Sequence, residues 1–237
     1  MGSRYASRVA CLRVEHLLWS TATSRLAGVD EVGRGAWAGP VVACAVVLPR
    51  ERALLRPLIA LIVPTAGPRR ASPLRLGERS PATVRDSKKL LAEQRAAAAS
   101  VIHDVALDVG VGTVPAGLVD DLGLSAAGQL AFWRAVSALV QPPDCILVDG
   151  FPLWSQAIPQ ISMPQGDQHC LSVAAASIVA KVARDGMMTS LAADMPDYGW
   201  DRNVGYGTPE HRDALARLGP SPQHRRSFDP VAAAMAI

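Results

Sequence analysis

Lysine is nearly absent from this 237-residue chain: Lys88, Lys89 and Lys181 stand against 21 arginines. A chain that uses Arg almost everywhere keeps a compact ammonium group at only three places. Those places merit attention, because Lys and Arg are not interchangeable beside phosphate or metal. Cysteine is scarce as well. Cys11, Cys44, Cys145 and Cys170 show no CxxC spacing, which excludes a disulfide framework or zinc ribbon and reads as reduced thiols of a cytoplasmic protein. The longest apolar run, Val41–Leu48, falls far short of the ~20 residues that a membrane-spanning helix needs, so no membrane partner is expected. There is no GxxxxGK[ST] phosphate loop and no GxSxG nucleophile elbow. The five histidines are scattered, and His169-Cys170 lacks zinc-site pairing. Residues 1–25 carry four Arg, one Glu and no long apolar stretch, so they read as an N-terminal extension with a short helix at Leu12–Trp19 and not as a secretory signal.

What is present supports one domain of ordinary to large size. Apolar residues make up 49% and charged residues 19%, enough for a sizeable core and incompatible with disorder throughout. The net charge of +3 hides a split: residues 50–95 hold eleven Lys or Arg against four Asp or Glu, and the remainder is acidic. A basic arm beside an acidic body fits a protein that meets a polyanion with one surface and holds cations with another; a solubilising loop is the plainer alternative.

Leu26–Asp30 and Val41–Leu48 read as buried, Val-rich strands separated by the turn chemistry of Gly33-Arg34-Gly35 and Gly39-Pro40. Residues 49–84, rich in Pro and Arg, read as a long surface loop. A helix over Lys89–Val105, a strand at Leu107–Val114, a helix over Val119–Val140 weakened by Gly123 and Gly128, and strands at Asp144–Asp149 and Ile158–Met163 follow. His169–Ala193 is the clearest helix, with a small-residue face of Ala174, Ala175, Ala176, Ser177 and Ala180. A last helix lies near Pro209–Leu218. Alternating strands and helices predict an α/β fold around a central sheet.

Carboxylates stand at the ends of these elements. Asp30-Glu31 closes the first strand, Asp149 another, and Asp167 precedes the long helix. Metal-dependent phosphoryl chemistry requires such oxygen ligands to converge on one spot. Adjacent strand residues face opposite ways, so Asp30 and Glu31 share a site only where the strand ends or bends. Singly, Asp167 also reads as an N-cap and Asp149-Gly150 as a turn. Together they form a set with no basic partner adjacent in sequence.

The stretch Ala27–Val42 (AGVDEVGRGAWAGPVV) resembles the signature of the bacterial ribonuclease HII family. So do Asp86–Leu90 (DSKKL), Val148–Gly150 (VDG), Gly166-Asp167, Ala174–Asp185 (AAASIVAKVARD), Gly205–Thr208 (GYGT) and Gly219–Phe228 (GPSPQHRRSF), in the family's order across roughly residues 12–230. The resemblance implies an α/β, ribonuclease H-like fold: a mixed five-stranded sheet flanked by helices, with a helical C-terminal part. It implies a catalytic core over 26–195 and a substrate-contacting segment over 196–237. It makes Asp30, Glu31, Asp149 and Asp167 the catalytic and metal-binding residues, with two Mg²⁺ or Mn²⁺ ions as cofactor. The substrate contacts it implies are Gly33, Arg34 and Gly35 near the 2′-hydroxyl; Ser87, Lys88 and Lys89 on phosphate; Lys181 and Arg184 on one helix face; and Tyr206 on a sugar. The activity implied is endonucleolytic cutting of the RNA strand of RNA/DNA hybrids, and on the 5′ side of ribonucleotides embedded in duplex DNA, by a monomer. A catalytically weak hybrid-binding protein of the same fold is the alternative. It is suggested by Gln165 and Val204, which stand where the family commonly has lysines; Arg202 and the Arg69, Arg70, Arg75 and Arg79 cluster are the compensating cations expected.

Overall fold

Val- and Ala-rich runs form the sheet. In the computed structural model, which describes residues 10–62, 92–154 and 157–235, the strands are β1 (Leu26–Val32), β2 (Val41–Val47), β3 (Asp108–Val114), β4 (Cys145–Asp149) and β5 (Gln160–Met163). They form one mixed sheet in the order β3-β2-β1-β4-β5. β1 pairs antiparallel with β2 and parallel with β4; β2 and β3 are antiparallel, β4 and β5 parallel. The expected mixed five-stranded sheet is thus observed.

The helices are α1 (Arg13–Trp19), α2 (Arg56–Ile62), α3 (Ala92–Val105), α4 (Ala116–Leu122), α5 (Leu124–Ser137), α6 (Leu171–Asp194), α7 (Trp200–Asn203), α8 (Pro209–Leu218) and α9 (Asp229–Ala234). Every residue of β2 is buried because both sheet faces are covered, which is why it reads as an unbroken apolar run and not as an alternating one. Cys44 and Val46 of β2 pack with α6, α3 and α1, whereas Val41, Ala43, Ala45 and Val47 pack with α5 and α4. The small face of α6 lets it lie on the sheet backbone to backbone: a Cβ at Gly28 would run into the main chain of Ser172 and Val173. Among the described residues no helix is long and apolar enough to cross a membrane.

Three expectations change. The helix expected over Val119–Val140 is two helices, because Gly123 takes φ 77° and breaks the ladder between α4 and α5. The segment expected as a loop from 49 contains α2, whose Pro57 sits in its first turn, where a missing N–H costs nothing. Asp167 lies in a 3₁₀ turn, Gly166–Gln168, and the N-cap of α6 is Cys170, so Asp167 is not a cap of the long helix. The N-terminus of α6 is instead held by buried Glu15 of α1, whose Oε1 accepts from Ser172 N and Oγ, both at 2.9 Å.

The C-terminal part closes over the end of the sheet at which β1 leaves for β2. Tyr198 and Trp200 stack with ring centroids 5.0 Å apart. Trp37 N donates to Gly205 O at 2.8 Å and Arg225 N donates to Trp37 O at 2.8 Å, so segments near 37, 205 and 225 are laced together by backbone bonds.

Candidate active site

The ladder between the parallel strands β1 and β4 stops at Val29↔Val148. The next residues are Asp30 and Asp149, at the carboxyl ends of parallel strands, where α/β sheets commonly present ligands. Alternation along β1 puts Ala27 and Val29 under α5 and Gly28 under α6, so Asp30 faces α6 and Glu31 the α5 side. β1 does not end at Glu31, as its pairing with β2 continues to Val32↔Val42. Both carboxylates nevertheless lie beyond the end of the β4 ladder and share its open mouth. Asp149 Oδ1 accepts from Gly166 N at 2.6 Å, which ties β4 to the turn that carries Asp167.

The other three carboxylates bear on Asp30. Asp30 is 6% exposed, and its carboxyl is held well above the usual carboxylate range, by burial first and then by the charges of Glu31 and Asp149, with Asp167 adding to them; a hydrogen bond with Ser177 of α6 pulls the other way. Glu31 is also raised, by burial first; Arg34 opposes this and Asp149 reinforces it. Among the described residues, no three or more His, Cys, Asp or Glu side chains are arranged as they stand to hold a metal ion. The fit to a divalent cation lies in donor type, all carboxylate oxygen, and in the mutual repulsion that such a cation would relieve.

The Gly33-Arg34-Gly35 turn borders these acids. Arg34 Nη1 lies 3.4 Å from Glu31 Oε1, with its side chain 40% exposed. Gly33 has φ 88°, and a Cβ there would collide with the Arg184 side chain, so only glycine fits. A Cβ at Gly35 would meet nothing within 4 Å, so that side of the turn is open to a ligand.

Arg184 departs from expectation. Its place three residues after Lys181 suggests a shared substrate face, but it is fully buried. It donates to Pro40 O at 3.0 Å, Val204 O at 2.8 Å and Ala38 O at 3.1 Å. The guanidinium is committed to backbone carbonyls beneath the turn and holds that turn in place; it is not a phosphate contact. Arg225, equally buried, does the same from the C-terminal segment, donating to Gly39 O from Nε at 3.1 Å and from Nη2 at 2.9 Å, and to Arg34 O from Nη1 at 2.9 Å.

Tyr206 is half-buried beside this clamp, its ring centroid 5.3 Å from the Arg184 guanidinium carbon and 5.8 Å from Lys181 Nζ. Lys181 also pairs with Asp185 at 2.6 Å. The Tyr206 backbone ends a chain of imidazoles. Ser221 N–H donates to His224 Nδ1 at 3.0 Å, so neutral His224 carries its proton on Nε2. That proton points at His211 Nε2, 3.0 Å away, which also receives Trp200 Nε1–H at 3.2 Å. His211 Nδ1–H is then left for the Tyr206 carbonyl at 3.0 Å. One stripe of α6 therefore serves the whole region: Ser177 on Asp30, Lys181 over Tyr206, Arg184 under the turn, and Met188 against Gly39.

Comparison with known proteins decides the lineage. The family model described as Ribonuclease HII matches residues 27–59 and 77–231. The chain belongs to the ribonuclease HII family. It is 48% identical to the ribonuclease HII of Synechococcus sp. (strain JA-3-3Ab) over 220 residues, covering 93% of this chain and 88% of that protein. It is 48% identical to the ribonuclease HII of Rhizorhabdus wittichii over 209 residues, covering 87% and 89%. In fold it is similar to the crystal structure of ribonuclease H2 from Pyrococcus horikoshii OT3, with TM-score 0.68 and 24% identity, covering 90% of this chain and 98% of that one. It is also similar to a Bst-RNase HIII solved in complex with Mn²⁺, with TM-score 0.62 and 20% identity, covering 94% and 72%. The protein is accordingly an endoribonuclease, a hydrolase.

The two positions at which the resemblance leads one to expect lysine share a backbone peculiarity. Gln165 has φ 59° and Val204 φ 43°, and among the described residues they are the non-glycine residues with positive φ. Each immediately precedes a Gly that leads into a site residue, Asp167 or Tyr206. Arg202, expected to compensate, is paired with Asp201 at 3.1 Å and with Glu210. Ser87, Lys88, Lys89 and the cluster from Arg69 to Arg79 lie outside the described residues. Sequence reasoning missed Ser177 as a partner of Asp30, Arg225 and the two histidines. Arg225 and His224 do fall within the GPSPQHRRSF motif, and His211 follows the GYGT motif by three residues, which is the signal that could have found them.

Proposed function

We propose that this ribonuclease cuts the RNA strand of RNA/DNA hybrids and incises duplex DNA on the 5′ side of an embedded ribonucleotide, leaving 3′-hydroxyl and 5′-phosphate ends. What supports this reading is buried Asp30 at the end of the β1–β4 ladder, feeling the charges of Glu31, Asp149 and Asp167, beside a turn whose Gly35 faces free space. Those carboxylates would hold two Mg²⁺ or Mn²⁺ ions, which supply an activated water and charge stabilisation at the departing 3′ oxygen. The chain's own groups do the rest. Ser177 fixes Asp30, and Gly166 N–H fixes Asp149, so both acids are aimed before substrate arrives. The Arg34–Gly35 backbone approaches the 2′-hydroxyl, the group that separates RNA from DNA. Tyr206 packs on the neighbouring sugar, Lys181 offers a cation beside it, and Ser87, Lys88 and Lys89 hold phosphate. The segment from 196 acts as the substrate-contacting part.

The weak-binder alternative is disfavoured by the acids themselves, since a cluster of carboxylates repels phosphate and has no use in a protein that only binds. A duplex carrying one ribonucleotide, incubated with and without Mg²⁺ beside a matched all-DNA duplex, tests the reading. Wild type cuts only the first and only with metal. Asp149→Asn folds and binds but loses cleavage by several orders of magnitude. Metal-dependent turnover by that variant near the wild-type rate would refute the assignment.

A further inference from the structure

The loop after Asp149 holds two large aromatic side chains out in water: Phe151 is 77% and Trp154 68% exposed. The loop is braced. Leu153 is buried under α5, at 3% exposure, as the anchor between them. Its N–H donates to Gln160 Oε1 at 2.7 Å and its carbonyl accepts from Gln160 Nε2 at 2.9 Å. Gln129 of α5 donates from Nε2 to Pro152 O at 3.1 Å and accepts from Trp154 N at 2.8 Å. Two side-chain amides thus pin residues 152–154 as a neighbouring strand would, and the rings are displayed by a fixed backbone.

The display borders the site on two sides. Phe151 is two residues from Asp149, at most ~7 Å along the chain, or about two nucleotide steps of ~3.4 Å. Gln129 adjoins Gly128, where a Cβ would lie 3.2 Å from Arg34 Nη1. A duplex seated on Asp149 and Arg34 therefore comes within reach of this loop, and residues 150–154 carry no charge with which to meet its phosphates.

We propose that Phe151 and Trp154 form an apolar contact surface for the nucleic-acid duplex, packing on its sugars beside the scissile position and giving affinity that does not depend on phosphate charge. This rests on the hybrid-cleaving reading above. It is tested by equilibrium binding of a labelled RNA/DNA hybrid across a salt series, with divalent ions removed by chelator so that nothing is cut. The Phe151→Ala/Trp154→Ala double variant binds about tenfold or more weakly, from the apolar area no longer buried against the sugars. Its slope of log affinity against log salt matches wild type, because no counterion-releasing contact is lost. Its melting temperature is unchanged, and Trp154→Phe, which keeps a ring, retains most of the affinity. Lys88→Ala, at a residue assigned to phosphate, is the contrast: weaker binding with a slope shallower by about 1. Unchanged affinity in the double variant while Lys88→Ala behaves as stated overturns the proposal and leaves the nuclease reading standing, and so does a loss accompanied by a flattened slope or by early melting that Trp154→Phe does not restore. Wild-type protein that binds no hybrid at all overturns both.

Discussion

Val204 sits at φ 43°, where a β-branched side chain crowds its own backbone, and its carbonyl is fixed by Arg184 Nη1. Such a conformation persists only because the surroundings hold it, at a cost of about 1–3 kcal/mol. Lysine at this place has an unbranched Cβ and an aliphatic stem that can keep much of valine's contact with the Trp200 cluster. Val204→Lys is expected to raise the melting temperature by roughly 2–4 °C, the shift that ~1 kcal/mol gives in a chain of this size. It is also expected to steepen the salt dependence of hybrid binding by about one phosphate contact. Thermal melting and a salt titration check the two effects separately; an unchanged midpoint would mean that no strain is released.

At the scale of elements, the contact between β1 and α6 is the tightest joint near the site. Gly28→Ala sets a methyl group against the main chain of Ser172 and Val173, which cannot move aside as a side-chain tip would. The variant should lose about 3 kcal/mol or more, seen as a lower denaturant midpoint, and should cleave more slowly because α6 carries Ser177 away from Asp30. The elements were largely readable in the sequence: Val-rich β1 and β2, the small-faced α6, and α8 between Thr208 and Gly219. Asp149 was legible as the end of β4, whereas β1 runs on past Asp30 and Glu31 to Val32 and Asp167 lies in a separate 3₁₀ turn. The place of Arg184 was not legible, because helical spacing shows that Lys181 and Arg184 share a face but not what that face lies against; α6 passes from part-exposed Lys181 to the underside of a backbone turn within one helical turn. The division of α4 from α5 depended on whether Gly123 would take positive φ, which propensity alone does not decide. The imidazole chain joins residues 13 apart whose only link is a folded contact.

For the molecule as a whole, the C-terminal segment is docked through groups that must stay neutral. Burial first, and then the neighbouring His211, push the His224 imidazole down to about 4, and burial likewise lowers His211. Free imidazole in the unfolded chain titrates near ~6.5. Unfolding therefore takes up protons between those values, and stability falls as pH drops from about 6.5 towards 4, with no penalty above 7. Denaturant midpoints across that range should decline more steeply for wild type than for His224→Gln; parallel curves would remove the histidines from the account. The stripe Ser177, Lys181, Arg184 and Met188 has a further consequence. These residues recur at steps of four, three and four along a single rigid rod. One extra residue inserted after Ile178 would rotate everything downstream by about 100°. Asp30 would still be gripped, while Tyr206's neighbour Lys181 and the underpinning of the glycine turn swung out of phase. On the proposed function, α6 is then the gauge that sets how far from the scissile bond the substrate is inspected, and its pitch cannot drift without reading and cutting losing alignment.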